Sequence, residues 1–347
     1  MAKTDKTVPD GSIRIRADLK SGNFARCYVF YGEEAYLRNY YLDQLRSKIL
    51  DGPAEAFNSH FFDSKSFSVQ ALSDAIDALP VMAERTWIQV EDVALFQLEE
   101  NDRVRLSELL AELPDYLCMV FSYCALEFKT DKRQKLGSAI EKNCVQLHFP
   151  RQSQSDLAAW CQRHFHSAGK RISKEACDYL IFQTDGTMTS LKSEIEKLTL
   201  YVQGPEITRE DIAAVVSPVL NAQVFAISDA LAERNFEQAV KKLQEILQLQ
   251  QEPIQVLAAI AVNMRRMLAA KVLEASRMGM SEFMHLYPDC RDYYARKVMS
   301  SARKFSLDWC EKAVCLCAQT DYQLKTSGGD KNWLIELLIL HLVEGAR

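Results

Sequence analysis

The first 150 residues alternate short apolar runs with longer polar-faced segments, and this alternation limits the possible folds more than any other feature. Three runs are rich in β-branched and aromatic residues, as strands are: CYVFY at 27–31, RTWIQVED at 85–92 and YLCMVFSYC at 116–124. Their centres are apolar at successive positions, which is typical of parallel strands covered on both faces. A fourth run, NCVQLHF at 143–149, is predicted to be the last strand.

The segments between these runs place apolar residues at helical spacing. Helices are predicted at residues 34–50, 68–79 and 102–113. Strands and helices that alternate in this way build a parallel sheet with helices on both faces. Residues 1–150 are therefore predicted to form an α/β domain.

The sequence pattern changes after Pro150. A polar Gln/Ser stretch marks a linker, and the apolar residues that follow it have helical spacing. Residues 151–217 are predicted to form a small helical domain. Ser217 and Pro218 suit the cap and the first position of a new helix. Residues 218–347 then predict a second, all-helical domain.

The last helix, NWLIELLILHLVE, is apolar nearly all round. Such a helix must be enclosed by its own domain or by a neighbouring subunit. We expect its wide apolar surface to carry assembly; the residues concerned are Trp333, Leu334, Leu337, Leu338 and Leu342. The alternative is a self-contained bundle that shows only charged faces to water.

Composition predicts a globular, helix-rich protein. Hydrophobic residues make up 48% of the chain, and the net charge of −5 gives no overall basic field that would attract DNA. The longest apolar run, from Trp333 to Val343, contains Glu336 and His341 and is too short to cross a bilayer. The start of the chain lacks the apolar region of a secretory signal. We expect a soluble, cytoplasmic protein.

Ten cysteines are present, but none forms a C-x-x-C pair, and several lie inside apolar runs. Buried, reduced thiols in a reducing compartment explain this distribution best. His164 and His166 have no cysteine or acidic cluster around them at zinc spacing. No metal site is expected.

The stretch YVFYGEEAYLR places a glycine between a strand and a helix, where nucleotide-binding proteins keep the phosphate loop G-x-x-x-x-G-K-[ST]. Gly32 is followed by Glu33 and Glu34, and no second glycine, lysine or hydroxyl stands where the loop needs it. The two carboxylates would repel an anion, although they stabilise the start of a helix. The phosphate-loop position is therefore predicted to be degenerate, and no cofactor is expected.

Two further parts of an ATPase are altered. The second strand ends in Val90, Glu91 and Asp92, which is similar to the acidic end of a Walker B strand, although acidic pairs are also common in surface loops. In DGTMTSLKSE at 185–194, Thr189 stands where a sensor arginine would be expected. The chain keeps the layout of an ATPase without its chemistry.

Taken in order, these segments resemble the delta subunit family of bacterial DNA polymerase III clamp loaders. The resemblance rests on Y-x-x-x-G-E-E-x-x-L, RTWIQVED, E-x-E-K-L-x-L-Y with ITREDI, and a collar-like DYQLK…NWLIELLI, and it runs from about residue 24 to 345. It implies an AAA+-like domain without a working ATP site, a three-helix lid and a helical collar, at 1–150, 151–217 and 218–347.

The resemblance also implies function and partners. Members of this family bind the ring-shaped sliding clamp (the beta subunit) and open it for loading onto primed DNA during replication. Their collar assembles with the ATPase (gamma/tau) and delta-prime subunits of a complex that has DNA-directed DNA polymerase activity. No catalytic residue is expected in this chain. The alternatives are a delta-prime-like subunit, or an AAA+-like enzyme with unusual nucleotide use.

The family binds the clamp through an apolar plug at the end of the helix before the second strand, which is DAIDALPVMAERTW here. Leu79, Val81 and Met82 are the matching positions, although the family usually has an aromatic residue or leucine in place of Met82. Pro80 is expected to stop the helix and push Leu79 out of helical geometry. The residues alone also allow an alternative, in which Val81 and Met82 start the strand and close the core.

A second candidate contact lies in CRDYYARK at 290–297. Arg291, Tyr293 and Tyr294 combine basic and aromatic side chains, and aromatic faces stack on bases of single-stranded DNA. We therefore regard them as possible DNA contacts. The alternative is an ordinary helix with solvated charges.

Overall fold

A computed structural model describes residues 10–50, 55–131, 133–249 and 252–346. The chain divides into two units, Met1–Gln152 and Ser153–Arg347. This division lies two residues from the α/β boundary expected at residue 150. A further division of the second unit near residue 217 stays a prediction.

The first unit is built on one parallel sheet in the order β2-β3-β4-β1-β5. Its strands are β1 (Cys27–Tyr31), β2 (Ser59–Phe62), β3 (Thr86–Glu91), β4 (Leu117–Ser122) and β5 (Val145–His148). The four predicted strands are present. Strand β2 was not predicted, because SHFF is a four-residue edge strand with a half-exposed pattern.

The helices of the first unit are α1 (Gly11–Ser21), α2 (Ala35–Ile49), α3 (Val69–Asp77), α4 (Glu100–Ala111) and α5 (Lys135–Asn143). Short 3₁₀ turns occupy Glu55–Phe57 and Leu95–Gln97. The helices α1 and α5 were not predicted. In α1 the Asp10 carboxylate caps the helix by accepting the Ser12 N–H at 2.8 Å.

Alternate residues of the central strands point to opposite faces of the sheet, and both faces are covered. Tyr28 and Phe30 of β1 pack in one cluster with Leu45 of α2. Val29 packs in the other cluster with Leu72 of α3. The predicted α/β class with helices on both faces is confirmed, and the apolar strand centres follow from this two-sided burial.

The second unit is helical apart from β6 (Arg171–Ile172) and β7 (Glu206–Ile207), which pair in parallel. Its first helices are α6 (Gln154–Ser167), α7 (Lys174–Gln183), α8 (Met188–Tyr201) and α9 (Arg209–Val215). The others are α10 (Leu220–Ala232), α11 (Phe236–Gln248), α12 (Pro253–Ala275), α13 (Met280–Leu286), α14 (Asp292–Ala302), α15 (Leu307–Thr326) and α16 (Lys331–Ala346).

Two expectations for this unit were wrong. The segment 151–217 contains four helices, not three, because α7 forms a separate helix capped by the Ser173 hydroxyl. Ser217 and Pro218 do not start α10, which begins at Leu220. The Val219 N–H donates to the Gln183 carbonyl at 2.9 Å, and this bond holds the connection in an extended form.

The last helix is mostly enclosed by its own unit. Leu334, Leu338 and Leu342 are buried in the core of the second unit, and Leu337 is half-buried. Of the five residues expected to form an assembly surface, Trp333 alone is exposed. The self-contained alternative therefore explains most of the apolar character of α16, because α11, α12 and α15 pack against it.

Eight cysteines are buried and free, as predicted, whereas Cys124 and Cys315 are exposed. Burial raises the pKa of Cys118 and of Cys177 to about 12. Within the described residues, none of the helices combines the length and apolar character needed to cross a membrane.

Thiol labelling tests this distribution. Under native conditions we expect maleimide to modify Cys124 and Cys315 quickly, since these two thiols reach solvent. The eight buried thiols should react only after the chain is denatured. Peptide mass mapping measures the modified sites, and rapid native labelling of Cys27 or Cys118 would contradict the packing described for the sheet.

Candidate functional site

The parallel sheet separates two candidate regions. Loops that follow strands lie at its carboxyl edge, and loops that precede strands lie at its amino edge. Gly32 and Asp92 follow β1 and β3, so the position at which the sequence predicts a degenerate phosphate loop lies at the carboxyl edge. The predicted plug precedes β3 and lies at the opposite edge. The loops of Gly32 and Asp92 and the loop before β3 are therefore separate from one another.

Gly32 is required by packing. Its φ is 120°, and a Cβ at this position would lie 2.3 Å from the Phe149 carbonyl oxygen. The Glu34 N–H donates to the same oxygen at 3.0 Å. The loop therefore presses against the chain that leaves β5, and this close approach alone accounts for the glycine.

Arg38 occupies the sixth position after Gly32, where a phosphate loop has its lysine. Its side chain is buried, and Nη1 donates to the Gly32 carbonyl at 2.9 Å. The cation thus binds the loop itself. The phosphate-loop pattern requires lysine at this position and so does not identify the role of Arg38, although a basic residue is visible there in the sequence.

The acidic end of β3 is engaged in loop structure. Asp92 has φ of 49°, and its Oδ1 accepts the N–H groups of Cys124, Ala125 and Leu126 at 2.8, 3.0 and 3.1 Å. Glu91, Asp92 and Cys124 bring possible ligand atoms within 4.8 Å of one another. The Asp92 carboxylate thus accepts three successive backbone N–H groups and anchors the loop after β4.

The loop before β3 begins where α3 ends. Ala78 is the first non-helical residue, with φ −69° and ψ 115°, so the helix stops at Asp77, two residues before the predicted end. The Tyr116 hydroxyl donates to the Ile76 carbonyl at 3.1 Å and fixes the last helical turn. Pro80 then keeps the preceding residue extended.

Three large apolar side chains of this loop lie in solvent. Leu79 is 73% exposed, Val81 49% and Met82 94%, and Met82 has φ of 52°. The alternative that Val81 and Met82 start the strand is wrong, because β3 begins at Thr86. Exposed apolar side chains grouped on one short loop are typical of an interaction site.

The side chain of Asn58 binds the backbone of this loop. Its side chain is 1% exposed and binds both backbone polar groups of Val81. Asn58 was not predicted to have a role, since a single asparagine before a weak edge strand carries no recognisable signal.

The residues of the predicted DNA contact are engaged inside the second unit. Arg291 Nη2 donates to the Gly186 carbonyl at 2.7 Å, and the Tyr294 hydroxyl donates to Asn263 Oδ1 at 3.2 Å. Burial raises the pKa of Tyr294. Tyr293 is half-buried against Phe182, with ring centroids 5.5 Å apart. The three side chains do not form an open stacking face, and their contact with DNA stays a prediction.

Two family models match the chain. One, described as DNA polymerase III, delta subunit, matches residues 28–149, and the other, described as DNA polymerase III delta subunit, C-terminal domain, matches residues 221–342. Together they span both units and more than half of the chain. The chain belongs to the DNA polymerase III delta subunit family.

Similar proteins agree with this assignment. The Bacillus subtilis DNA polymerase III subunit delta is 25% identical over 336 residues, which are 94% of this chain and 95% of that protein. A probable DNA polymerase III subunit delta of Aquifex aeolicus is 20% identical over 261 residues, 75% of this chain and 74% of its own. The solved B. subtilis clamp loader delta protein has a TM-score of 0.62 at 23% identity, covering 96% and 99% of the two chains. This last likeness shows a shared fold.

The matched ranges include the features described above. The delta subunit model spans Gly32, Asn58 and the loop of Leu79, Val81 and Met82, and the C-terminal model spans most of α16. Both edges of the sheet therefore belong to the part that defines the family.

Nucleotide binding provides a test of the carboxyl edge. We expect no ATP binding up to about 1 mM in a calorimetric titration with Mg²⁺, because Arg38 is bound to Gly32 and the phosphate-loop hydroxyl is missing. Binding that disappears in the variant Glu91→Gln would contradict this expectation. Asp102→Asn, on α4, serves as the matched control.

Proposed function

We propose that this chain is the subunit of a DNA polymerase III clamp loader that binds the sliding clamp and opens it for loading onto primed DNA. Membership of the delta family supports this proposal. The observation that carries it is the exposure of Leu79, Val81 and Met82 on the loop before β3. The chain itself would supply binding energy, and it needs no catalytic residue for that role.

The loop has the properties of a binding anchor. Fully burying one leucine or methionine side chain stabilises a complex by about 1.5–3 kcal/mol, and a few such anchors dominate most interfaces. Met82 is also flexible, so it can adapt its shape to an apolar pocket. The occupant we propose for these side chains is an apolar pocket on the clamp.

Opening of the ring follows from differential binding. A protein shifts the clamp towards its open form only by as much as it binds that form more tightly. The bound Arg38 and the tightly packed Gly32 argue against ATP as the energy source within this chain. Control by ATP would come from the ATPase (gamma/tau) subunits of the same complex.

Loss of the anchors should weaken clamp binding. In the double variant Leu79→Ser and Met82→Ser we expect the Kd for the purified clamp to rise at least about 100-fold. The melting temperature should stay close to that of the unmodified chain, because both side chains are exposed. Surface plasmon resonance and thermal unfolding measure the two quantities.

A matched control is Ile13→Ser. Ile13 is 69% exposed on α1. This helix contacts β5, the last strand in the order of the sheet, three strands away from β3. The clamp affinity of this variant should not change. A folded double variant that binds the clamp normally would show that the loop is not the anchor.

The exposed apolar surface of α16 that could carry assembly is smaller than the sequence predicted. Trp333, Leu337 and Leu340 are spaced along one face of α16, with Trp333 57% and Leu340 48% exposed and Leu337 half-buried. An exposed tryptophan on such a face is a frequent interface anchor. We propose that this face forms the collar contact with the ATPase and delta-prime subunits.

The collar proposal is tested in the full chain. The double variant Trp333→Ser and Leu340→Ser should fail to co-purify with the ATPase and delta-prime subunits and should keep its affinity for the clamp. Leu200→Ser, which changes an 82% exposed side chain of α8, is the control. Normal assembly of the double variant would contradict the proposal.

A further inference from the structure

A buried asparagine fixes the backbone of the exposed loop. Asn58 Oδ1 accepts the Val81 N–H at 2.7 Å, and Asn58 Nδ2 donates to the Val81 carbonyl at 2.9 Å. One carboxamide thus satisfies both backbone polar groups of a residue that lies 23 positions away. The orientation of the amide is settled by these partners, since the reverse would oppose two donors and two acceptors.

Asn58 is itself held on both sides by the sheet and its preceding turn. Its N–H donates to the Glu55 carbonyl at 3.1 Å, and its carbonyl accepts the Trp87 N–H at 2.8 Å. Trp87 belongs to β3 and is 1% exposed. The carboxamide is therefore mounted on a rigid part of the fold.

The loop needs such a support because its apolar side chains do not pack inward. Leu79 and Met82 are among the most exposed apolar residues described, so burial contributes little to the loop conformation. Met82 also adopts φ of 52°, which a methionine rarely does. The paired hydrogen bonds to Val81, between these two residues, oppose relaxation to other conformations.

We propose that Asn58 is a positioning residue for clamp binding, which holds Val81 so that Leu79 and Met82 are presented together. This inference rests on the proposed function of the loop. A loop that is ordered before it binds loses less conformational entropy in the complex, so its affinity is higher. Asparagine suits this role because its side chain carries a donor and an acceptor on one planar group, as a peptide unit does.

Two variants of the full chain separate the parts of this role. Asn58→Leu keeps the approximate size and removes both hydrogen bonds. Asn58→Asp is nearly isosteric and keeps the acceptor for the Val81 N–H, but it places a second acceptor against the Val81 carbonyl. This variant provides the clamp-affinity test if Asn58→Leu does not fold. Asn39→Asp makes the same chemical change at an exposed residue of α2 and is the control.

The measurements are the affinity for the purified sliding clamp and hydrogen exchange of the Val81 amide in the free chain. We expect clamp binding to weaken about tenfold in both Asn58 variants, as for the loss of one or two hydrogen bonds. Exchange of the Val81 amide should accelerate in Asn58→Leu. Asn39→Asp should change neither quantity.

A purely structural role is excluded by combining substitutions. If Asn58 acts through the anchors, Asn58→Asp should have no further effect on clamp affinity when Leu79 and Met82 are already serine. An additional loss in that background would overturn the inference. The inference would also be overturned if a folded Asn58 variant bound the clamp normally while the Leu79 and Met82 double variant bound it weakly. In that case the proposed function would stand. Normal affinity of the anchor variant would overturn the proposed clamp-binding role of the loop together with this inference.

Discussion

Burial of the parallel sheet on both faces is the constraint on which the first unit depends. Tyr28 and Phe30 face one cluster and Val29 faces the other, so β1 can exist only between two layers of helices. Each crossover in a parallel sheet returns the chain to the same edge, which leaves two separate sets of loops. The loop that contains Gly32 and the apolar loop of Leu79, Val81 and Met82 lie in different sets.

At the carboxyl edge, the residues at the predicted phosphate-loop and Walker B positions are engaged in contacts within the chain. Gly32 is held by its contact with Phe149, Arg38 binds the loop that it would otherwise serve, and Asp92 organises the chain after β4. Each residue has a structural task that does not involve a phosphate. At the amino edge the opposite holds, because Leu79 and Met82 lie in solvent and contribute little to the fold.

Prediction from the sequence succeeded where local pattern and burial agree. The apolar centres of β1, β3 and β4 identified the sheet, since two-sided burial leaves a continuous apolar run. It failed for β2, whose four residues at the edge carry little pattern, and for the start of α10. That start depends on a hydrogen bond from Val219 to Gln183, which no local propensity encodes.

Local sequence patterns were enough to predict the α/β class, the absence of phosphate-loop residues after Gly32 and the position of the apolar loop after α3. The folded chain was needed to show that Leu79 and Met82 stay outside the core, that α16 exposes Trp333 while burying Leu334, and that the Tyr294 hydroxyl donates to Asn263. The difference lies in the distance over which each kind of interaction acts. Periodicity and turn chemistry act between neighbours, whereas exposure and the bond from Asn58 to Val81 depend on elements that meet only in the folded chain.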